Sequence, residues 1–557
     1  MGRLAGLLAP TALLVSLLTL AARAVGFLRW LVFSPTVGAG VVGTAYQSAN
    51  QVPNILFEVV AGGALAGAVV PLLAGPLAKA DTRQVSRIAS ALLGWALLVT
   101  VPLAVAVVAC ARPLAAVLVP DPAATEVAAA FLVMFAVQLP FYGVGAVLTG
   151  VLQAHRRFLW PAFVPLLSSL VVIGTYLGYG MLPSGPDSSP PSSLALLGWG
   201  TTCGVLALSL PLVLPTRRVG VRLRPTLRFP AGVAVRARRL ASAGVVALLV
   251  QQAAVLVTML VANRVGGTGV YVVFSYIQAV YLLPYAVLVV PVVTIAFQQL
   301  SAQLAAAGAG QESVAEASRT VSRTTDRVLW LGLTGAVVLV CAAGPLEDFF
   351  TGIDRAAASS EVPFAAMASG VVLMALAVPG WCLVNWGQRI FFAHERSRFA
   401  AFGPVIGWVI VVLVALGGGA WVARANTVAA TDSPGATLLV IAGAHALGMT
   451  IAGVLAVVLV RTVLGLGSLR RTGLVAVALL VCAALAVAAS TGAAGVLGAV
   501  PGLPPLLGHV VRGILLALVG VAVMAVPVLL ARRKNAPEDR PSAADSSVDF
   551  ERDATGE

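Results

Sequence analysis

The sequence predicts an all-α polytopic membrane protein with about 14 transmembrane helices, counted at roughly 20 residues a span. Of its 557 residues, 59% are hydrophobic and only 10% are charged, and the mean hydropathy is +0.99. A soluble protein cannot cover its surface with so few charges. Lipid offers the backbone no hydrogen-bond partners, so the long apolar runs must cross the membrane as helices.

The apolar runs follow one another along almost the whole chain, and several exceed bilayer length, which predicts tilt. Four prolines inside the runs, Pro53, Pro140, Pro284 and Pro379, predict kinks. The first run begins like a secretory signal but continues beyond Arg29, so we expect an uncleaved first helix. The predicted spans are residues 8–33, 43–75, 88–119, 125–153, 158–182, 193–215, 240–263, 269–298, 326–346, 362–391, 400–422, 436–460, 472–493 and 507–531.

The distribution of Lys and Arg predicts the orientation of these spans. If both termini are cytoplasmic, 28 of the 35 basic residues fall in cytoplasmic segments or at the adjoining span ends. Five fall on the outer side and two, Arg23 and Arg29, lie in the first helix. The net charge of +14 is therefore a topology signal spread between spans, and we expect no nucleic-acid surface. The outer five are Arg112, Arg264, Arg355, Arg424 and Arg512.

An internal repeat predicts two pseudo-symmetric six-helix lobes. Ala-His followed by Ala-Phe and Pro occurs at His155 and, with identical spacing, at His394, an offset of 239 residues. Six plus six spans at this offset indicate parallel repeats. The predicted divisions are an N-terminal lobe (1–216), a basic cytoplasmic linker (217–239), a C-terminal lobe (240–462), an additional helix pair (463–531) and a disordered cytoplasmic tail (532–557).

The linker carries eight arginines between Arg217 and Arg239. It has two interpretations that do not exclude each other. One is a solvated segment that keeps this loop inside the cell. The other is an amphipathic segment that lies on anionic lipid headgroups.

Charges inside the spans are few and mark the candidate site. A charge in the bilayer core costs at least ~2.5–3.5 kcal/mol, so it usually faces a cavity or a partner. Arg23 and Arg29 lie in the first span and Glu58 in the second. An ion pair between an arginine and Glu58 would tie these helices together. Alternatively, the arginines form a cationic cavity for an anionic headgroup, because guanidinium donates two parallel hydrogen bonds to phosphate. Nearby amides that could line this cavity are Gln47, Asn50, Gln51 and Asn54.

The chain has no pattern of an enzyme. It contains no Walker loop, no His-Glu-x-x-His and no pair of carboxylates within a span. We expect no catalytic residue, metal or cofactor, and any energy for transport would come from ion gradients, the membrane potential or the substrate. Other polar residues in spans, including His445, are expected to join helices by hydrogen bonds.

The first two spans resemble those of the MurJ/MviN lipid II flippases, of the multidrug/oligosaccharide/polysaccharide exporter superfamily. The run Arg23-Ala-Val-Gly-Phe-Leu-Arg29 is similar to the family signature Arg-x-x-Gly-Phe-x-Arg, and Val52-Pro53-Asn54 resembles the second helix. The resemblance implies a flippase that moves a polyprenyl-pyrophosphate-linked peptidoglycan precursor, lipid II, between leaflets by alternating access. It also implies a multi-pass protein of the bacterial cytoplasmic membrane. Cell-wall synthesis or division proteins are its expected protein partners, and membrane lipids surround it.

The resemblance also implies roles for individual residues. Arg23 and Arg29 would bind the diphosphate, and Asn50, Gln51 and Asn54 would contact sugar or peptide groups. Glu58 would tune the arginines or take part in ion coupling. The last two helices, about residues 472–531, would form a lipid-facing groove for the polyprenyl tail.

This chain departs from the family pattern at two places. The family often has Arg-Arg where this chain has Phe57-Glu58, and Tyr-Ala-Asp-Arg-Leu where it has Tyr276-Ile-Gln-Ala279-Val. The cavity should therefore be less cationic than in typical members, with Arg264 or Arg389 as possible substitutes. Two alternatives follow: export of another lipid-linked glycan or amphiphile, and a non-transporting scaffold of a cell-wall complex.

Overall fold

The computed structural model describes most of the chain. The described residues are 2–59, 66–185, 187–230, 233–234, 237, 245–306, 311–359, 361–428, 433–465, 472–496 and 503–534. The predicted disordered tail lies outside them from residue 535 on, as does much of the second half of the linker. Within these ranges the regular structure is helical.

The N-terminal part of the chain contains ten α-helices in its described residues, with a short 3-10 helix, Leu210–Leu212, before the last of them. The helices are α1 (Gly2–Thr36), α2 (Val41–Phe57), α3 (Ala66–Ala78), α4 (Thr82–Ala109), α5 (Ala111–Leu118), α6 (Pro122–Ala136), α7 (Gln138–Ala154), α8 (Leu159–Met181), α9 (Pro191–Ser209) and α10 (Val213–Arg218).

The C-terminal part contains nine α-helices in the ranges that the structure describes. Segments of π-helix at Ala262–Gly266 and Tyr285–Val289 follow the first two of them, and a 3-10 turn at Phe364–Ala366 precedes the fifth. The helices are α11 (Val245–Val261), α12 (Val270–Pro284), α13 (Val290–Ala306), α14 (Gln311–Ile353), α15 (Met367–Ala393), α16 (Ser397–Val428), α17 (Ser433–Leu464), α18 (Thr472–Val496) and α19 (Pro505–Lys534).

The predicted fold class is confirmed. Thirteen helical stretches in the described residues are long and apolar enough to cross a membrane, and each coincides with one predicted span. The predicted second span falls on α2 and α3, and residues 60–65 between them are outside the described part. The chain is therefore an all-α, multi-pass membrane protein.

Prolines account for several breaks within the spans. Helix α6 ends at Ala136, four residues before Pro140, where the ring would clash with that residue's carbonyl group. Pro284 is the last residue of α12 and is followed directly by the π-helical segment. Pro211 lies in the 3-10 turn that ends α9 at Ser209.

The two copies of the internal repeat have the same local structure. His155 ends α7 and His394 ends α15, and each ring bonds through Nδ1 to the carbonyl oxygen four residues earlier, at 2.8 and 2.9 Å. The next residues, Arg156 and Glu395, both have a φ of 57°. The repeat found in the sequence therefore corresponds to the same turn conformation, which occurs once after α7 and once after α15. The division into lobes remains a prediction, and we use "N-terminal lobe" for α1–α10 and "C-terminal lobe" for α11–α17.

The linker follows the outside of α4 in its described residues. The backbone N–H groups of Arg222 and Arg224 donate to Ser86 Oγ (3.2 Å) and Ser90 Oγ (3.0 Å). A Cβ on Gly94 would lie 2.2 Å from the Thr226 carbonyl oxygen, so only glycine permits this approach. The linker is thereby attached to the N-terminal lobe while the side chains of its five described arginines, Arg217, Arg218, Arg222, Arg224 and Arg228, stay exposed.

Helices α18 and α19 pack on one face of α14. The Trp330 indole N–H donates to the Met524 carbonyl oxygen (2.9 Å), and a Cβ on Gly520 would lie 2.7 Å from Val337. The additional helix pair is thus attached to the molecule through α14.

Candidate functional site

The two arginines of α1 face different lobes. Arg29 lies within electrostatic range of the hydroxyl groups of Tyr46, Tyr142 and Tyr176, all in the N-terminal lobe. The Arg23 charge acts on Tyr285, in the C-terminal lobe. Neither arginine makes an ion pair within the described part of the chain. Helix α1 therefore presents two guanidinium groups without a described ion pair between the lobes, and that of Arg29 lies over the Trp30 ring, 5.9 Å from its centroid.

Arg264 and Arg389 are the suggested substitutes for the missing cavity arginine, and of these two Arg389 lies in this region. Its charge acts on the same Tyr285 as that of Arg23, and its Nη1 donates to Thr294 Oγ1 at 3.1 Å. Arg264 lies elsewhere, because its side chain donates to the carbonyl oxygens of Val117 (2.8 Å) and Ala116 (3.0 Å). Arg264 therefore joins the lobes and is not available to a ligand.

The polar face of α2 lies next to Tyr142 of α7. Asn50, Gln51 and Asn54 are half-buried on α2, and the Tyr142 hydroxyl donates to Asn54 Oδ1 at 3.1 Å. The ring of Tyr142 contacts that of Phe57, with centroids 4.5 Å apart. The position where the family often has an arginine is thus occupied by an aromatic pair.

Glu58 makes no ion pair with either arginine in the described residues. Its exposed side chain lines a cavity of about 360 Å³ inside the N-terminal lobe, together with Tyr142, Gln153 and Ser209. The ion pair considered as a tie between the first two helices is therefore absent from the described contacts. Glu58 instead lines a cavity to which neither Arg23 nor Arg29 contributes.

Aromatic rings close the space beyond Arg29. Phe33, one helical turn further along α1, contacts the rings of Tyr46, Tyr176 and Tyr276, with centroids 5.3 to 6.3 Å apart. The Tyr46 and Tyr176 hydroxyls are hydrogen-bonded to each other at 3.0 Å. All four residues are buried, so this aromatic layer fills the interior between the two lobes beyond Arg29.

Asp354 joins the lobes beyond the aromatic layer. Its carboxylate accepts from Ser34 Oγ (2.7 Å) and the Ala39 N–H (3.0 Å) of one lobe, and from the Tyr276 hydroxyl (2.9 Å) of the other. Burial raises the pKa of this carboxyl group, while the hydrogen bonds it accepts act in the opposite direction. Gly38 permits the approach, since its φ is +75° and a Cβ would lie 2.9 Å from Arg355 Cβ.

Two further side chains of the C-terminal lobe reinforce this junction. Arg355 donates to the Thr36 carbonyl oxygen at 2.6 Å and to Ser184 Oγ at 3.0 Å. Asn263 Nδ2 donates to Ser48 Oγ (2.8 Å) and to the Leu118 carbonyl oxygen (2.9 Å). We call these contacts of Asn263, Arg264, Asp354 and Arg355 with the N-terminal lobe the closed end. Sequence reasoning missed it, although each pair of polar residues stands at the end of a span.

An apolar crevice lies between α1, α14 and α19. Its volume is about 330 Å³, and Phe27 and Leu31 of α1 line one wall. Phe349 of α14 and Ile514 of α19 are on the other walls. Phe27 lies between Arg23 and Arg29 in sequence, so the crevice borders the helix that carries both arginines.

His445 is not part of any of these sites. It is buried between Phe274 and Trp408, with ring centroids at 5.1 and 5.9 Å, and its Nδ1 bonds to the Ile441 carbonyl oxygen at 2.9 Å. This hydrogen bond stays within α17, so the expected hydrogen bond between helices is not among its described contacts, and His445 meets the neighbouring helices α12 and α16 through ring contacts instead.

Thirteen helical stretches of the described residues are long and apolar enough to cross a membrane, and hydrogen bonds between the two halves of the chain close one end, an arrangement that defines a polytopic membrane transporter. The model of one family, "Lipid II flippase MurJ", matches residues 33–500. Because this match covers most of the chain, the chain belongs to the lipid II flippase MurJ family.

Individual relatives agree with the family match. The chain is 25% identical over 411 residues to a probable lipid II flippase MurJ of Rhizobium tropici, covering 71% of this chain and 73% of the relative. A probable lipid II flippase MurJ of Rhizobium meliloti (strain 1021) is 24% identical over 413 residues, with 72% and 73% covered.

Solved structures show the same fold. A lipid II flippase MurJ in an inward closed conformation aligns with a TM-score of 0.70 at 15% identity, covering 93% of this chain and all of the other. An inward-facing multidrug resistance MATE family transporter of the MOP superfamily aligns with a TM-score of 0.61 at 15% identity, covering 82% and 96%. The fold is therefore common to flippases and to drug transporters.

Proposed function

We propose that this protein moves lipid II from the inner to the outer leaflet of the bacterial cytoplasmic membrane by alternating access. Family membership supports the substrate. The mechanism rests on Arg23 and Arg29, which make no ion pair in the described residues and lie on α1 between the two lobes. The described hydrogen bonds that join the lobes all lie at one end of the molecule. Alternating access needs a binding site that is closed to one side of the membrane at a time.

The diphosphate of the substrate binds at Arg23 and Arg29 in this proposal. Guanidinium groups suit phosphate because they remain charged and donate paired hydrogen bonds. The position of Arg29 near N-terminal lobe tyrosines, and of Arg23 near Tyr285 and Arg389, supports binding by both lobes. Asn50, Gln51 and Asn54 extend the polar wall toward sugar and peptide groups.

The polyprenyl tail lies in the apolar crevice of α1, α14 and α19. Head and tail sites share α1, because Phe27 and Leu31 line the crevice and the arginines flank Phe27. An amphiphile can then keep its tail in lipid while its head crosses the protein. This arrangement assigns the additional helix pair to tail binding.

The orientation follows from the basic residues. Both termini are placed in the cytoplasm, which puts the end of α1 and the closed end on the outer side. The site is then sealed from outside by the aromatic layer and by Asp354, Arg355 and Asn263. Loading therefore occurs from the inner leaflet.

A different lipid-linked glycan or amphiphile is the second candidate substrate. The Phe57–Tyr142 contact and the free Glu58 favour it, because they replace two positive charges with an aromatic and a negative group. A scaffold within a cell-wall synthesis or division complex is the alternative outside transport. Deletion of residues 535–557 separates it, since a carrier keeps its activity without the charged tail.

Complementation tests the proposal. Cells depleted of their own lipid II flippase would express this chain, with lipid II labelled at the outer leaflet. We expect restored labelling, which Arg23→Ala and Arg29→Ala abolish at unchanged membrane level. Arg112→Ala is the matched control, because Arg112 pairs with Glu126 on the exposed surface. Normal labelling with both α1 variants would overturn the site, and no labelling by the wild-type chain would overturn the substrate.

A further inference from the structure

We propose that the cavity around Glu58 is a cation site inside the N-terminal lobe. The cavity, of about 360 Å³, lies between α2, α7, α8 and the end of α9. Helix α1 contributes nothing to its lining, so it is distinct from the arginine site. Its polar lining is Glu58, Tyr142, Thr149, Gln153 and Ser209.

The first argument is an uncompensated charge. A carboxylate at membrane depth is costly, and it is retained where it pairs or faces a filled cavity. Glu58 has no hydrogen bond or ion pair to the described side chains. Residues 60–65, Val-Ala-Gly-Gly-Ala-Leu, have no polar side chain to offer. A bound cation would supply the counter-charge that the described residues do not provide.

The second argument is an unpartnered hydroxyl on the opposite wall. Ser209 is 1% exposed, and its Oγ has no hydrogen-bond partner. Buried polar atoms rarely go without a partner, so an unpaired one calls for a specific cause. Gly145 faces it, and a Cβ there would lie 2.6 Å from Ser209 Oγ. Glycine keeps open the space that a ligand of Ser209 would need.

The donor set indicates the ligand. Besides Tyr142, whose hydroxyl is bonded to Asn54, the carboxylate of Glu58, the hydroxyls of Thr149 and Ser209 and the amide of Gln153 offer hard oxygen atoms, which suit hard cations better than transition metals. The lining has one carboxylate, and the described residues hold no cluster of three or more His, Cys, Asp and Glu. A single positive charge matches this site, delivered as Na⁺ or as a proton on Glu58.

The charged and titratable groups around the cavity are few. Tyr142 is the group within reach of Glu58, and it also lies within reach of Arg29. Its hydroxyl is occupied by Asn54 Oδ1. Tyr142 thus stands between the cation site and the arginine site.

Sodium binding to the purified full chain tests the proposal. The chain would be placed in nanodiscs of zwitterionic lipid and titrated with radioactive Na⁺ at constant ionic strength. We expect saturable binding that Glu58→Gln abolishes. Glu126→Gln is the matched control, because this exposed acid already pairs with Arg112. The thermal midpoint without Na⁺ shows whether each variant is folded.

Two milder variants test the opposite wall. Ser209→Ala removes one ligand, so the affinity for Na⁺ should fall about tenfold, as expected for one hydrogen-bond-sized interaction. Gly145→Ala should lower it as well by occupying the space beside Ser209. Unchanged affinity in both would remove Ser209 from the site.

The proton is detected separately. If Na⁺ does not bind, infrared difference spectra over a pH titration should show a protonated carboxyl band that Glu58→Gln removes. Neither signal, or Na⁺ binding that survives Glu58→Gln, would overturn the proposal. No lipid substrate is used, so this outcome is independent of the complementation result.

Discussion

At the scale of single residues, the proposed function depends on the guanidinium groups of Arg23 and Arg29, which make no ion pair in the described residues. Arg29→Lys keeps the charge but loses the fork that donates two bonds to one phosphate. We expect the apparent affinity for a diphosphate lipid to fall about tenfold, and about a hundredfold for Arg29→Gln, from hydrogen bonds to charged groups of ~1.5–3 kcal/mol. Binding of a fluorescent polyprenyl diphosphate to the purified chain measures both. Equal affinity of the Lys and Gln variants would contradict bidentate binding.

Asp354 should make the stability of the closed end depend on pH. Burial raises its pKa, so the neutral form is favoured in the folded chain relative to the unfolded one. Its contribution is then fully present below its ordinary pKa and is lost as pH rises through the raised value. We expect the thermal midpoint of the wild-type chain, relative to Asp354→Asn, to rise as pH is lowered from neutral. The control is Asp81→Asn, a helix cap far from the closed end.

An opposite slope would show that the hydrogen bonds from Ser34 and the Ala39 N–H outweigh burial.

The sequence alone could not predict that Asp354 joins the two lobes. Asp354 stands just beyond a span, like any loop residue, and Ser34 is 320 positions away in the chain. By contrast, Arg23 and Arg29 were evident because charge within an apolar run is rare.

At the scale of helices, the contact of α19 with α14 is predicted to hold the substrate tail. Gly513 lines the apolar crevice, and a Cβ there would lie 3.2 Å from Pro345. Gly513→Leu should fill the crevice and reduce outer-leaflet labelling by about tenfold or more, the effect of losing roughly two buried CH₂ contacts. Gly508→Leu is matched on the same helix, because nothing lies within 4 Å of its Cβ position. Equal labelling by both variants would remove the tail from the crevice.

The sequence predicted where the spans lie but not how each is interrupted. Bilayer length and apolar composition locate α14 and α15 without any partner. The break at Val137 and the 3-10 turn after Ser209 depend on local proline geometry. Glu58 shows that the sequence also did not predict which helices a site residue would face. Its position in the second predicted span suggested proximity to the arginines of α1, whereas Glu58 follows the last residue of α2 and lines a cavity with α7 and the end of α9.

At the scale of the whole molecule, transport by alternating access requires the closed end to open. Asn263 and Ser48 are hydrogen-bonded between the lobes at 2.8 Å. Cysteines at both positions, in a background without the five native cysteines, should be joined by a short thiol-reactive linker. We expect labelling of outer-leaflet lipid II to stop and to return when a cleavable linker is cut.

A pair within one lobe provides the control. Gln138 Nε2 and Thr202 Oγ1 are 3.2 Å apart in the N-terminal lobe, and cysteines there should be linked without loss of labelling. Activity that persists with Asn263 and Ser48 linked would show that the lobes do not separate at this end.

The closed end is chemically one-sided. Many of its side chains belong to the C-terminal lobe, where Asn263, Arg264 and Arg355 donate and Asp354 accepts. Many of their partners are backbone groups of the N-terminal lobe, such as the carbonyl oxygens of Thr36, Val117 and Leu118 and the N–H of Ala39. A backbone carbonyl oxygen is still present after almost any amino-acid substitution, whereas a guanidinium group is lost when its arginine is replaced. In a saturation screen for variants that open spontaneously to the outside, hits should therefore concentrate in one half of the gene, although both halves form the barrier.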